Sequence, residues 1–234
     1  MIPWLEADMP FPPAAHALAD PNGLLAAGGD LSVPRLLAAY RQGIFPWFSD
    51  AEPILWWSPD PRMVLFPNEF SPSRSLARTL RQSRYEVRFD TAFDAVIAAC
   101  AQTPRAGQNG TWITASIREA YCALHEQGYA HSAETWIDGE LAGGLYGVAI
   151  GRMFYGESMF ARCRDASKIA FAHLMRYLQT AGFGMVDCQV HTRHLASLGA
   201  YEIPRSGFLH RLAELTNAPD APLRGRWQAA GAWN

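Results

Sequence analysis

Cysteine is scarce. The four present (Cys100, Cys122, Cys163 and Cys188) are scattered with no Cys-x-x-Cys pair. That spacing argues against a zinc site and against a disulfide framework, and a reducing cytoplasm is the simplest setting. Long hydrophobic runs are missing too: none approaches the roughly 20 apolar residues of a membrane-spanning helix. The opening "MIPWLEADMPFPP" is acidic and broken by proline, with neither the basic front nor the apolar centre of a secretion signal. Neither sign of charge is in large excess. Lys and Arg number 20 against 22 Asp and Glu, a net charge of −2, so no whole-molecule field recruits nucleic acid. Any such contact must come from a local patch. There are no internal repeats. What remains is a chain of 234 residues, 49% hydrophobic, long enough for one large domain or for a small one joined to a medium one.

The charge that is present is unevenly placed. Residues 1–70 carry eight acids against three arginines, net −5, whereas residues 71–84 carry four arginines and no acid, net +4. The first sixty residues are dense in turn signals ("FPP", "DPNG", "GGD", "GIFPWF", "SPDP") around one helix, "SVPRLLAAYRQG", bracketed by Ser32 and Gly43. This reads as a small loop-rich N-terminal domain over residues 1–61, with residues 62–234 forming a larger one. From Arg62 onward α and β patterns alternate. "SRSLARTLRQS" is helical and "YEVRFD" alternates as a strand. "TAFDAVIAACAQ" is again helical, and "ITASIREAYCALHEQG" puts Ile117, Ala120, Tyr121 and Leu124 on one face before Gly128 stops it. "HSAETWI" runs through Asp138-Gly139 into "ELAGGLYGVAI", a two-residue hairpin signal, and Gly151-Arg152 turns into "MFYGESMF". A helix over "DASKIAFAHLMRYLQTAG" follows, with Asp165 as its expected cap. "GMVDCQVH" is a buried strand, "HLASLGAYEI" a short helix leading to a last strand, and the chain after about Asn217 is expected to be loose.

The class is therefore α+β: a central, largely antiparallel sheet flanked by helices. Meander, helix, strand, short helix and last strand in this order resemble the acetyltransferase fold of the GNAT superfamily. The glycine-rich pyrophosphate loop expected at the start of the helix is replaced by "ARCRDASK". The frame is expected without its coenzyme.

Four groups of residues carry candidate chemistry. Ser158, in "GESMF", lacks the second glycine of a nucleophile elbow because Phe160 stands there, and is read as a local hydrogen-bonding group. His191 and His194 are two residues of a set that a metal would need to be larger, and are read as surface or capping histidines. Arg74, Arg78 and Arg81 share one face of a helix whose opposite face carries Leu76 and Leu80. No acid stands near enough to pair with them, so the ridge is either a solvated face or a phosphate-binding one. Trp47, Trp56, Trp57 and Trp112 sit in loops or at element ends, as core anchors or as platforms for unstacked bases. Finally, Asp187 and Gln189 share one face of "VDCQV" while Val186, Cys188 and Val190 share the other. Glu157 ends a second apolar strand. Carboxylates in such surroundings are either paired with buried arginine or form a cleft that receives an amine.

Taken in order, "PNGLLAAGGDLS", "LLAAYRQGIFPWFS", "ILWWSPDPR", "GTWIT", "EAYCALHEQGYAHSAE", "GGLYGVAIG", "FYGESMFA", "ASKIAF", "DCQV" and "HLASLGAYEIPR" closely resemble the leucyl/phenylalanyl-tRNA–protein transferases, over about residues 20–210. The resemblance implies a GNAT-like larger domain and the transfer of leucine or phenylalanine from aminoacyl-tRNA to proteins beginning with arginine or lysine, marking them for degradation. It implies Trp47, Trp112 and Tyr121 around the 3′-terminal adenosine, and Arg74, Arg78, Arg81 and Arg84 on tRNA phosphates. Leu145, Met159, Phe171 and Met175 would line the amino-acid pocket, with Asp187, Gln189 and Glu157 at the chemistry. No cofactor or metal is expected, because an aminoacyl ester is already activated. A cytoplasmic monomer without membrane contact is the corresponding expectation. Two other readings stay open at this point: an acetyl-CoA-dependent N-acetyltransferase on the same frame, and a tRNA-binding module without catalysis.

Overall fold

The computed structural model describes residues 2–82, 84–104, 111–218, 224–228 and 233. The N-terminal part forms a small sheet as well as loops. Strands β1 (Trp4–Leu5), β2 (Leu24–Gly28), β3 (Phe45–Pro46) and β4 (Leu55–Trp57) line up in the order β1-β2-β4-β3. Strands of two to five residues are too short to display a period-two pattern, which is why turn signals dominate this stretch of sequence. Helix α1 (Val33–Tyr40) lies between β2 and β3. The Ser32 side chain accepts from the Arg35 amide, proline occupies the first turn, and Gly43 follows at φ +73°.

The larger sheet begins with β5 (Arg62–Leu65), continues through helix α2 (Arg74–Leu80) and β6 (Glu86–Phe89), and then gives helices α3 (Phe93–Ala101) and α4 (Ala115–Glu126). The meander β7 (Ala130–Ile137), β8 (Glu140–Ile150) and β9 (Met153–Ala161) follows, then α5 (Ala166–Thr180), β10 (Met185–Gln189), α6 (Arg193–Ser197), β11 (Tyr201–Ile203) and α7 (Arg205–Thr216). The seven strands run β11-β5-β10-β9-β8-β7-β6, antiparallel throughout except for the parallel pair β9–β10. Asp138 and Gly139, both at positive φ, make the tight β7–β8 turn.

Alternation along the sheet sorts its side chains into two layers. Tyr146, Val148 and Ile150 of β8 pack with α3, α4 and the N-terminal elements. Leu145 and Ala149 face α5, where Phe171, Leu174, Met175 and Leu178 are buried. The first layer is one continuous cluster reaching from Leu25, Leu36 and Trp56 to Ile117, Tyr121 and Leu124. The α4 stripe read from the sequence is buried in full.

Four features depart from the sequence reading. Asp165 gives α5 no side-chain cap; it sits in the left-handed region at φ +62° and its carboxylate binds Lys168 Nζ at 3.0 Å. Helix α7 went unread, since its buried side of Phe208 and Leu212 is too narrow a stripe to show periodicity. Of the tail expected to be loose, residues 219–223, 229–232 and 234 lie outside the described residues, but Trp227 is anchored. It is 5% exposed, its ring stacks 3.7 Å from that of His131, and its amide donates to Asp90 Oδ2 at 2.7 Å. Lastly, β10 stops at Gln189, where φ is +64° and the register with β5 shifts, so Val190 leaves the sheet and is exposed.

Candidate active site

The site follows from how two neighbouring strands part. β9 and β10 pair only from Met153↔Met185 to Tyr155↔Asp187, while β9 runs on against β8 as far as Ala161. Beyond Tyr155 the parallel partner is gone, and a cavity of about 610 Å³ opens at the divergence. Glu157 and Met159 of β9, Cys188 and Gln189 of β10, Leu145 of β8, and Phe171 and Met175 of α5 all reach it. The N-terminal elements close one side with Phe45, Pro46, Trp47 and Trp57, and Trp112 stands before α4 on another.

Glu157 is the only carboxylate among the cavity's described lining residues. Tyr40 Oη donates to its Oε1 at 2.7 Å, Tyr121 Oη to its Oε2 at 3.1 Å, and Gln189 Nε2 to Oε1 at 3.1 Å. The two phenol oxygens also touch each other. Tyr40 ends α1 and Tyr121 lies mid-α4, so elements from both parts of the chain converge on one carboxylate. Burial pushes the Glu157 carboxyl up to about 7 from its ordinary 4.5. The two tyrosine hydrogen bonds oppose that rise, Asp187 adds to it and Arg62 subtracts. The buried phenols are in turn raised well above their ordinary value by desolvation and by the Glu157 charge.

Asp187 stands behind this group. It is fully buried, and Arg62 binds it through a fork, Nε to Oδ1 at 2.8 Å and Nη2 to Oδ2 at 2.6 Å. The Arg62 guanidinium is itself held between the Phe45 and Phe208 rings, 4.8 and 4.6 Å from their centroids. Asp187 does not line the cavity; its Oδ1 accepts the Gln189 amide at 2.9 Å and so fixes the bulge that aims Gln189 at Glu157.

The remaining candidates are placed as follows. Leu145, Met159, Phe171 and Met175 line the apolar end, joined by Leu174 and Val186. Trp47 is exposed and meets Trp57 edge-on at 5.6 Å, with Trp57 Nε1 donating to the Trp47 carbonyl at 2.7 Å. Trp56 is a fully buried anchor whose Nε1 donates to the Gly28 carbonyl. Tyr121, implied beside an adenosine, is instead wholly buried beneath Glu157. Ser158 reaches the cavity wall from β9, His194 Nε2 lies 3.2 Å from Met159 Sδ at the mouth, and His191 is exposed. Arg74, Arg78, Arg81 and Arg84 are all exposed and none forms an ion pair with another described residue, while Leu76 and Leu80 beneath them pack on Ile169 and Ala172 of α5. The ridge thus stands on the same helix that lines the cavity. Tyr40 and Arg62 escaped the sequence reading: each is an ordinary residue at an element end, and nothing local marks a partner more than a hundred positions away.

Comparison with known proteins places the chain in a family. Residues 64–213 match the model of the leucyl/phenylalanyl-tRNA protein transferase family, and residues 29–60 match the model of that family's N-terminal domain. A leucyl/phenylalanyl-tRNA–protein transferase of Chromobacterium violaceum is 66% identical over 94% of this chain and 94% of its own length. One from Aromatoleum aromaticum is 61% identical over 99% of this chain and 97% of its own. A GCN5-related N-acetyltransferase from Kribbella flavida shares 11% identity, covering 76% of this chain and 65% of its own, at a TM-score of 0.36, too slight a likeness to bear on the fold. With nearly the whole length matched at this identity, the chain belongs to the leucyl/phenylalanyl-tRNA–protein transferase family, and it is an aminoacyltransferase.

Proposed function

We propose that this chain moves leucine or phenylalanine from the 3′ end of aminoacyl-tRNA to the α-amine of proteins beginning with arginine or lysine, creating an N-terminal degradation signal in the cytoplasm. The observation that carries this reading is a single cavity with three walls: an apolar pocket, a tryptophan rim and a half-buried carboxylate, Glu157. In this reading Leu145, Met159, Phe171 and Met175 take the leucyl or phenylalanyl side chain. Trp47 and Trp112 take the terminal adenosine by stacking, and the ridge of Arg74, Arg78, Arg81 and Arg84 takes acceptor-stem phosphates. Asp187 acts through Gln189, which it holds, and Glu157 receives the cationic N-terminus of the acceptor. The division of the chain at residues 61 and 62 belongs to the same reading, since the first strand of the large sheet starts at Arg62.

The ester is already activated, so the protein's work is to bring the amine to the carbonyl and remove its proton. Proximity alone supplies much of the acceleration, with effective molarities on the order of 10⁵ M or more for well-oriented groups. The test is direct. Leu-tRNA and a reporter peptide beginning with arginine are supplied, and the peptide's N-terminus is read by mass. Folded protein that adds no leucine or phenylalanine sinks the proposal.

The ridge makes a separate prediction. Arg78→Glu raises KM for aminoacyl-tRNA by about tenfold at moderate salt and flattens its salt dependence, with kcat nearly unchanged, because phosphate contacts contribute to binding through released counterions. A kcat effect with unchanged KM would move the tRNA elsewhere.

A further inference from the structure

The contacts around Glu157 raise a question of proton counting. Tyr40 Oη touches Tyr121 Oη and lies 2.7 Å from Glu157 Oε1, and Tyr121 Oη lies 3.1 Å from Oε2, so three oxygen–oxygen contacts close a ring. Two phenols bring two protons. With Glu157 ionised, both point at the carboxylate and the tyrosine–tyrosine contact holds none. A neutral carboxyl brings the third, and every contact then has its proton. Gln189 Nε2, 3.1 Å from Oε1, shows which oxygen accepts, so the added proton belongs on Oε2. The ring then runs from Oε2–H to Tyr121, from Tyr121 to Tyr40 and from Tyr40 back to Oε1.

The surroundings hold this ring in place. Tyr40 is 1% exposed and Tyr121 fully buried. Tyr155 packs on the Tyr40 ring at 4.7 Å and donates to its carbonyl at 2.9 Å, while Tyr146 meets Tyr121 edge-on at 5.6 Å. The other charges acting on Glu157 are Asp187 and Arg62 behind β10, which are paired with each other.

We propose that Tyr40 and Tyr121 are positioning residues that make Glu157 the proton acceptor of the transfer step, donating to both carboxylate oxygens while it is ionised and closing into the ring once it has taken the proton. This rests on the aminoacyl-transfer reading above. The acceptor N-terminus enters as an ammonium, whose ordinary pKa is about 8. One proton passes from nitrogen to Glu157. The free amine attacks the ester carbonyl, forming the C–N bond. The C–O3′ bond breaks, and the second N–H proton goes to the departing 3′ oxygen. Glu157 releases its proton to solvent after the product leaves. Both protonation states of the carboxyl keep two or more hydrogen bonds, so the step leaves no stranded charge in the buried site.

Two measurements on full-length protein test this. In the free protein, the ¹³C-labelled glutamate carboxyl of Glu157, identified by its loss in Glu157→Gln, is titrated in wild type, Tyr40→Phe and Tyr121→Phe. Each phenylalanine removes one donor to the ionised form, so the midpoint moves up by about one pH unit. Single-turnover leucine transfer is then followed against pH. The acid limb shifts upward by the same amount, so each variant is about fivefold slow at pH 7, approaches about tenfold at lower pH and recovers towards wild type at higher pH. Should a phenylalanine variant fold poorly, 3-fluorotyrosine at position 40 or 121 keeps the shape and strengthens the donor, and the midpoint moves down. A midpoint that stays put, with a rate loss equal at every pH, assigns the tyrosines to packing and overturns the proposal. If wild type transfers no amino acid, the aminoacyl-transfer reading falls, while the titration still decides whether the ring tunes Glu157.

Discussion

Arg62→Met lowers the stability of this protein by about 3–5 kcal/mol, the size of loss seen when one partner of a buried ion pair is removed and the other is left uncompensated. The stranded group is Asp187, which is fully buried and receives both of its side-chain donors from Arg62, at 2.8 and 2.6 Å. Methionine fills most of the volume between Phe45 and Phe208, so the loss comes from charge and not from an empty space. The double variant Arg62→Met with Asp187→Leu therefore recovers most of the stability, because an apolar pair of similar volume replaces the ion pair at little cost. Transfer does not recover with it. Asp187 Oδ1 holds the Gln189 amide at 2.9 Å in a backbone conformation with φ +64°, and without that carboxylate the bulge has lost its tether. Urea unfolding of the three proteins, set beside their leucine-transfer rates, separates the two effects. A loss below about 1 kcal/mol for Arg62→Met would mean that Asp187 finds water or another donor, and the tether argument would go with it.

This pair also shows where a sequence stops being readable. Elements whose cause is local stood out. The stripe of Ile117, Ala120, Tyr121 and Leu124, the Asp138-Gly139 turn, and the arginines set opposite Leu76 and Leu80 each rest on a spacing of a few residues. The two-layer sorting of β8, with Leu145 on one side and Tyr146 on the other, came only with the fold. Asp187 and Glu157 could be flagged as costly carboxylates in apolar strands, but their partners could not be named. Arg62 is 125 positions from Asp187, and Tyr40 is 117 from Glu157. Trp227, 137 positions from Asp90, is the same case at the C-terminal end, hidden in a stretch of alanine, proline and glycine. Nothing in the periodicity of a strand or helix reports a contact closed by the tertiary fold. Nor does periodicity show that β9 and β10 part after Tyr155, which is what opens the cavity.

Glu157→Gln is expected to make the protein more stable and nearly inactive, and the pH dependence of both effects is specific. The folded protein holds the Glu157 proton up to about pH 7, above the ordinary value of 4.5. A carboxyl raised in this way favours the fold fully only below its unfolded value. Between about 4.5 and 7 the unfolded chain ionises while the folded one does not, and stability falls until the folded group has ionised as well. The gap between the two values corresponds to about 3 kcal/mol at pH 8. Glutamine does not titrate and imitates the neutral acid. Its carbonyl accepts from Tyr40 and Gln189 on the Oε1 side, and its amide donates to Tyr121 on the Oε2 side. The variant is therefore expected to gain up to about 3 kcal/mol at pH 8, or roughly 6–12 °C in Tm for a chain of this size, and almost nothing at pH 4.5. Transfer falls by about 100-fold or more, the usual contribution of a positioned proton acceptor. Thermal melts of wild type and variant at pH 4.5, 6 and 8 read the first effect, and single-turnover rates read the second. A variant that melts at or below wild type at pH 8 would show that the ionised carboxylate is comfortable where it lies. The burial that raises it would then be offset by its tyrosine donors, and the site would hold a permanent anion for the incoming ammonium in place of a group that exchanges a proton with it.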